Sequence, residues 1–184
     1  MRFAIIISGL PASGKTTIGK TLATALSLDY LDKDDFLEAL FDEQGVGDAD
    51  WRRQLSVMSN QRFIDAAKDE QARDQQAVVL ISHWRKPGAT GASGTPTDWI
   101  ADHYDRVIEI NCTCAPEVAT QRFVDRNRHV GHCDKTRIRE EIAAWMDNIV
   151  QTLPLGLGSL ITVDSEADPD IADLSQAVRD MLER

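Results

Sequence analysis

Eight consecutive residues, Gly9, Leu10, Pro11, Ala12, Ser13, Gly14, Lys15 and Thr16, satisfy every fixed position of the pattern G-x-x-x-x-G-K-[ST]. Each fixed position has a physical task. Gly9 and Gly14 permit backbone turns that a side chain obstructs, so the N–H groups of the intervening residues, Ala12 and Ser13 among them, can turn inward around phosphate oxygens. A helix starting near Gly14 adds the positive end of its dipole. Lys15 can then reach the β- and γ-phosphates, Thr16 can offer its hydroxyl to Mg2+, and Thr17 falls in place for the α-phosphate. The bland alternative is a glycine-rich turn that happens to carry Lys-Thr. It is disfavoured by context, because a short apolar run precedes the loop and an amphipathic segment follows it.

A second group of chemistry-bearing side chains is Asp32, Lys33, Asp34 and Asp35. They follow the short strand expected at 28–31 and should emerge at the same sheet edge as the phosphate loop. Asp35 with Glu38 reads as a helix-start capping pair. That leaves Asp32 as the candidate for the Mg2+ water shell and Asp34 as the candidate base for an acceptor hydroxyl. The run Val78–Ile81 ends in Ser82 and His83 rather than in an acid, and Glu109 falls inside a strand, so neither supplies a further metal ligand. His83, Trp84, Arg85 and Lys86 read equally well as acceptor contacts or as a solvated turn. Arg52 and Arg53 can clamp an acidic acceptor, or simply face solvent on a helix.

A third group is basic in an otherwise acidic chain: Arg122, Arg126 and Arg128, then His129, Gly131 and His132. Phosphoryl transfer spreads negative charge over oxygen atoms, and arginines on a closing segment stabilise that charge while excluding water. Arg126 and Arg128 are therefore candidate catalytic residues on a lid spanning about residues 122–135. Basic residues at a helix C-terminus are the plainer explanation. His129, His132 and Cys133 have no recognised zinc spacing, so Mg2+ is the only metal expected.

The elements that must position these groups follow from hydrophobic periodicity. Residues 3–8 form a nearly continuous apolar run suited to a strand covered on both faces, and Ile18, Leu22 and Leu26 make one stripe of a helix from about 14 to 27. Further strands are expected at 28–31, 77–81, 106–111 and 160–163. Helices are expected around Phe36–Phe41, at 51–73 anchored first by Trp51, Leu55 and Met58, at 116–127 and at 135–152. A last helix has Asp168 as its cap, with Pro169 in its first turn and Ile171, Leu174, Val178 and Met181 as its stripe. Residues 86–97, rich in Gly, Pro and Ser, suit a mobile surface loop or active-site flap. The alternation predicts an α/β fold in three layers, with a five-stranded, mostly parallel sheet and a small helical lid, as one domain over residues 1–184.

Composition narrows the partners. The chain has 184 residues with 30 acidic against 20 basic side chains, a formal net charge of -10, which disfavours a nonspecific grip on nucleic acid. The apolar start is too short for a membrane span and runs straight into Gly9 and Pro11 without a cleavage site. Three cysteines with no mark of secretion fit reduced thiols in a cytoplasm. Nothing fixes the oligomeric state.

Taken together, Gly9–Thr17, Leu31–Ala39 and Arg122–His132 resemble the small-molecule kinase branch of P-loop proteins, which includes shikimate, gluconate and chloramphenicol kinases and is related to nucleoside monophosphate kinases. The resemblance spans nearly the whole chain. It implies ATP and Mg2+ as cofactors, Asp34 at the acceptor, Asp32 at the Mg2+ water shell, Arg126 and Arg128 as lid arginines and Arg122 as an earlier nucleotide contact. It also places the turn at residues 164–168 near the adenine. The substrate-specific motifs of the named kinases are missing: no glycine pair follows the third strand and no His-Pro follows the aspartates. The expected activity is thus transfer of the γ-phosphoryl group to a small polar molecule, with a nucleoside or nucleotide kinase as the nearest alternative and a nucleotide-dependent regulatory module as one from another class. A GTPase switch is disfavoured, since no N-K-x-D occurs and the one D-x-x-G, Asp42 to Gly45, follows a helix.

Overall fold

The computed structural model describes residues 1–69, 76–89 and 93–183. Its strands are β1 (Phe3–Gly9), β2 (Tyr30–Asp32), β3 (Ala77–Ile81), β4 (Arg106–Thr113) and β5 (Ser159–Asp164), all parallel, in the order β2-β3-β1-β4-β5. The helices are α1 (Lys15–Leu26), α2 (Lys33–Gln44), α3 (Ala49–Lys68), α4 (Ile100–His103), α5 (Pro116–Asp125), α6 (Arg139–Val150) and α7 (Ile171–Leu182), with 3-10 turns at Val130–His132 and Asp134–Thr136.

Every residue of β1 and β3 is buried, and the period-two alternation of a strand divides them between two cores. Phe3, Ile5, Ile7, Val79 and Ile81 pack with Ile18 and Leu22 of α1 and Leu174 and Val178 of α7. Ala4, Ile6 and Leu80 face the other way, toward Phe63 of α3, Trp84, Tyr104 and Leu155. This is the expected three-layer α/β arrangement, and it places the loops after β1, β2 and β3 side by side at the carboxyl ends of the strands. No helix among the described residues is long and apolar enough to cross a membrane.

Several local expectations are corrected. The α2 cap is Asp32, whose carboxylate accepts from Asp34 N at 3.1 Å, while Asp35 pairs with Lys20 on α1. A carboxylate one residue ahead of the first turn reaches the free N–H groups better than one inside it. For the same reason Asp170, not Asp168, caps α7, and Pro169 lies before the cap. Met58 is exposed; the buried stripe of α3 is Leu55, Ser59, Phe63 and Ala67. The expected extension of α3 to Arg73 lies outside the described residues. The second strand is shifted to Tyr30–Asp32, and α6 begins only at Arg139, because a 3-10 turn occupies Asp134–Thr136.

The segment expected to be a mobile surface loop is packed at its described end. Thr95 and Thr97 are buried, and Thr95 N donates to His83 O at 2.7 Å while Arg85 N donates to Thr95 O at 2.9 Å, which ties the returning chain beside β3. Residues 90–92 lie outside the described residues. Glu109 is fully buried in β4 and accepts from Ser8 Oγ at 2.7 Å, Leu155 N at 2.7 Å and Gly156 N at 2.9 Å. It thus serves as an internal anchor for the turn after α6, in line with its exclusion as a metal ligand.

Candidate active site

The phosphate loop leaves β1 at Gly9 and enters α1 at Lys15. Gly9 has φ of 141°, and a Cβ there would lie 2.4 Å from Cys112 O, so only glycine lets the loop pass this close to β4. Gly14 (φ 85°) turns the chain into α1 without a side-chain cap, which leaves the first N–H groups of the helix facing the loop. Lys15 folds back over this nest and donates to Leu10 O at 2.6 Å and Gly9 O at 3.1 Å. Its burial lowers the ammonium pKa to about 8.

Next to it, Thr16 Oγ1 donates to Asp32 Oδ2 at 3.0 Å. Asp32 is buried, and burial, opposed by its hydrogen bonds to Asp34 N and Thr16, raises its pKa. A hydroxyl and a carboxylate at adjoining positions are the hard oxygen donors that Mg2+ takes, so these two residues fit the cation the motif implies.

Asp34 projects from the first turn of α2 into the same cavity, where Arg128 Nη1 donates to its Oδ2 at 2.6 Å. Burial would raise the Asp34 pKa, but Arg128, Lys33, His132 and Lys15 together hold it below the usual carboxylate range. Arg128 is fixed in turn by Asp134, which accepts from Arg128 Nε and from Arg126 Nε, each at 2.9 Å. One carboxylate therefore organises both arginines of the expected lid. Neither arginine is spent on a helix carbonyl.

The lid segment rests on α2. Phe41 is stacked against His129 at a centroid distance of 5.2 Å and meets His132 edge-on at 5.5 Å, while His132 Nε2 lies 2.9 Å from Glu38 Oε1. Gly131 passes flat against the Phe41 ring, where a Cβ would come within 2.5 Å of it. Thus the two histidines dock the arginine segment on α2.

These parts surround one cavity of about 680 Å3. Among the expected residues, Ala12, Gly14, Lys15, Thr16, Thr17, Asp32, Asp34, Arg122, Arg126 and Arg128 all line it. Gly9 and Ser13 do not: Gly9 supports the loop from beneath, and Ser13 is buried with an unpartnered Oγ. Arg122 donates to Ser165 O at 3.0 Å. Of His83, Trp84, Arg85 and Lys86, only His83 lines the cavity, whereas Trp84 is buried and donates its indole N–H to Ile7 O.

The far wall was not foreseen as a unit. Arg52, Ser56 and Asn60 recur every fourth residue of α3 and line the cavity together, as do Arg137 and Trp145. That spacing was legible in the sequence, but with no visible partner it looked like an ordinary polar helix face. Asp134 gave no signal beyond being an acid near arginines.

The family model described as AAA domain matches residues 5–151. The chain is 31% identical over 104 residues to a shikimate kinase of Corynebacterium jeikeium (strain K411), covering 53% of this chain and 48% of that protein. It is 37% identical over 124 residues to a cytidylate kinase of Methanococcoides burtonii, covering 66% of this chain and 62% of that one. The match thus spans about half to three fifths of these curated relatives. Among solved structures, a candidate kinase of Chloroflexus aurantiacus j-10-fl superposes with a TM-score of 0.79 at 29% identity, over 97% of both chains.

Proposed function

The chain belongs to the AAA domain family of P-loop proteins, and from that premise we propose that it transfers the γ-phosphoryl group of ATP to a hydroxyl of a small anionic molecule in the cytoplasm. The observation that carries the anionic acceptor is the state of Arg52. Its Nε is buried in the cavity wall without a hydrogen-bond partner, and burial followed by the nearby Arg137 lowers its pKa. Buried polar groups are ordinarily satisfied, so an unpartnered guanidinium nitrogen at a cavity that a second arginine also lines fits a carboxylate or phosphate ligand. The local carboxylates are already engaged: Asp134 holds Arg126 and Arg128, and Asp34 holds Arg128.

In this reading the Gly9–Thr17 loop and Lys15 cradle the triphosphate, and Arg122 borders the nucleotide end. Thr16 and Asp32 would hold Mg2+, which when bound neutralises charge on the phosphate oxygens. Asp34 orients the acceptor hydroxyl and takes its proton, and Arg126 and Arg128, held by Asp134, stabilise charge on the transferring group. The docked segment keeps water out. A nucleoside monophosphate acceptor is the second reading, favoured by the cytidylate kinase similarity and by the same pair of arginines.

Arg52→Leu tests the anionic acceptor. Its KM for hydroxycarboxylate or phosphorylated acceptors should rise roughly 10-fold to 100-fold, as expected for loss of a charge-assisted contact, while KM for ATP is unchanged. An unchanged acceptor KM would reject the clamp. Stimulation of ADP formation by nucleoside monophosphates alone would select the second reading.

A further inference from the structure

His83 stands at the carboxyl end of β3 with a backbone that is held from several sides. Thr95 N donates to its carbonyl at 2.7 Å, the adjoining Ser82 and Thr95 hydroxyls are 2.6 Å apart, and Thr95 Oγ1 donates on to Asn60 Oδ1 at 2.9 Å. The neighbouring Trp84 is buried and anchored on β1 through Ile7 O. Such a position presents a side chain to the cavity with little freedom to move away.

The imidazole lines the cavity and meets Trp145 of α6 edge-on, with centroids 5.8 Å apart. Among the described residues neither of its ring nitrogens has a hydrogen-bond partner, unlike His103, His129 and His132. The charges that face it are Lys15, Lys33 and Asp34. Burial, reinforced by the two lysines, pushes its pKa down to about 4, so the ring is neutral at physiological pH.

A neutral imidazole offers one N–H donor and one bare acceptor nitrogen, and a hydroxyl group offers the same pair in return. A carboxylate or phosphate could use only half of it. The other hydroxyl-bearing groups nearby are committed, since Ser82 and Thr95 bond to each other and to Asn60, and Ser56 Oγ accepts from Lys33 at 3.2 Å. The surrounding cations donate but do not accept. We propose that His83 is a specificity-determining residue that binds a second hydroxyl of the acceptor, adjacent to the one phosphorylated at Asp34. The acceptor is then a polyhydroxylated anion, with its charge at Arg52 and two neighbouring hydroxyls at Asp34 and His83.

This assignment rests on the phosphotransferase reading above, and its test separates the two. ADP release from Mg-ATP is measured with D-gluconate, D-ribonate and D-glycerate, each alongside its single-deoxy forms, for the wild type, His83→Phe and His83→Gln. Phe keeps the edge contact with Trp145 but cannot hydrogen-bond; Gln keeps a donor and an acceptor.

The expected result is a wild type that prefers at least one polyhydroxy acid over one of its deoxy forms by about 10-fold to 100-fold, as expected when a buried hydrogen-bonding group is left unpaired. His83→Phe should lower kcat/KM for the parent acid by a comparable factor, leave the deoxy form within about threefold, and keep KM for ATP and the melting temperature. His83→Gln should restore part of the discrimination. Equal losses on parent and deoxy forms, or none, would overturn the role of His83 while leaving the kinase intact. Absence of wild-type turnover with every acid would overturn the hydroxyl-acid reading itself and His83 with it.

Discussion

Arg128 and Asp34, 94 residues apart in the chain, meet at 2.6 Å inside the cavity. The contact joins the expected lid to the expected acceptor residue, so the two act as one assembly. It leaves Asp34 ionised and oriented, with its Oδ2 engaged by Arg128. Asp34→Asn keeps the shape of the group but removes its basicity. Nucleotide affinity should persist while kcat falls by about 100-fold to 10,000-fold, the range for a lost general base. Nucleotide binding by calorimetry and turnover under saturating substrate check this, and unaltered kcat would remove Asp34 from the proton path.

The Lys15 ammonium, lowered to about 8 by burial, makes nucleotide binding pH-dependent. Phosphate oxygens raise the pKa of an adjacent ammonium, so above pH 8 the complex binds a proton that the free protein lacks. Affinity should therefore be level below pH 7 and decline as pH rises past 8. Calorimetry at pH 8.5 in buffers of differing ionisation enthalpy should report net proton uptake. Proton release, or none, would contradict the placement of Lys15 against the phosphates.

Docking of the arginine segment depends on the flat passage of Gly131 over Phe41. Gly131→Ala forces a methyl group into that ring, an overpacking of about 1–3 kcal/mol. The segment should lift from α2, with faster amide exchange over residues 126–137 and a lower kcat, while α1 and the phosphate loop keep their protection. Unchanged exchange in that segment would show that the contact does not hold it down.

Glu109 contributes to stability rather than catalysis. Replacing its carboxylate by the Glu109→Leu side chain strands the N–H groups of Leu155 and Gly156, while the Ser8 hydroxyl keeps Asn111 Oδ1 at 3.3 Å. The buried Leu155 N–H left unpaired costs about 1–3 kcal/mol, so the urea midpoint should drop. A wild-type midpoint would disprove the anchoring role.

The sheet, the phosphate loop and the approximate helix order could be read from the sequence because each is written locally, in apolar runs, in glycines at fixed spacing and in fourfold stripes. Lys15, Thr16, Asp32 and Asp34 could be grouped for the same reason, since strands β1 and β2 deliver them to one edge. What could not be read depends on partners far away in the chain. Asp134 looked like a stray acid until it was seen to hold Arg126 and Arg128. The Arg52, Ser56 and Asn60 row reads as a solvated face until it is seen to line one cavity with Arg137 and Trp145. The choice of caps failed by three residues at α2 and two at α7, because several aspartates lie around each helix start and only backbone geometry selects among them.

The central claim is phosphoryl transfer to a small acceptor, and its most direct test is ADP release by the purified protein with Mg-ATP. The panel comprises sugar acids, sugars, sugar phosphates, nucleosides, nucleoside monophosphates and hydroxylated antibiotics, and Lys15→Ala is the control. At least one anionic, hydroxyl-bearing compound should stimulate release and be recovered as its phosphate, and Lys15→Ala should abolish both. Tight ATP binding with no stimulation by any compound would contradict transfer and point instead to a nucleotide-dependent regulatory protein.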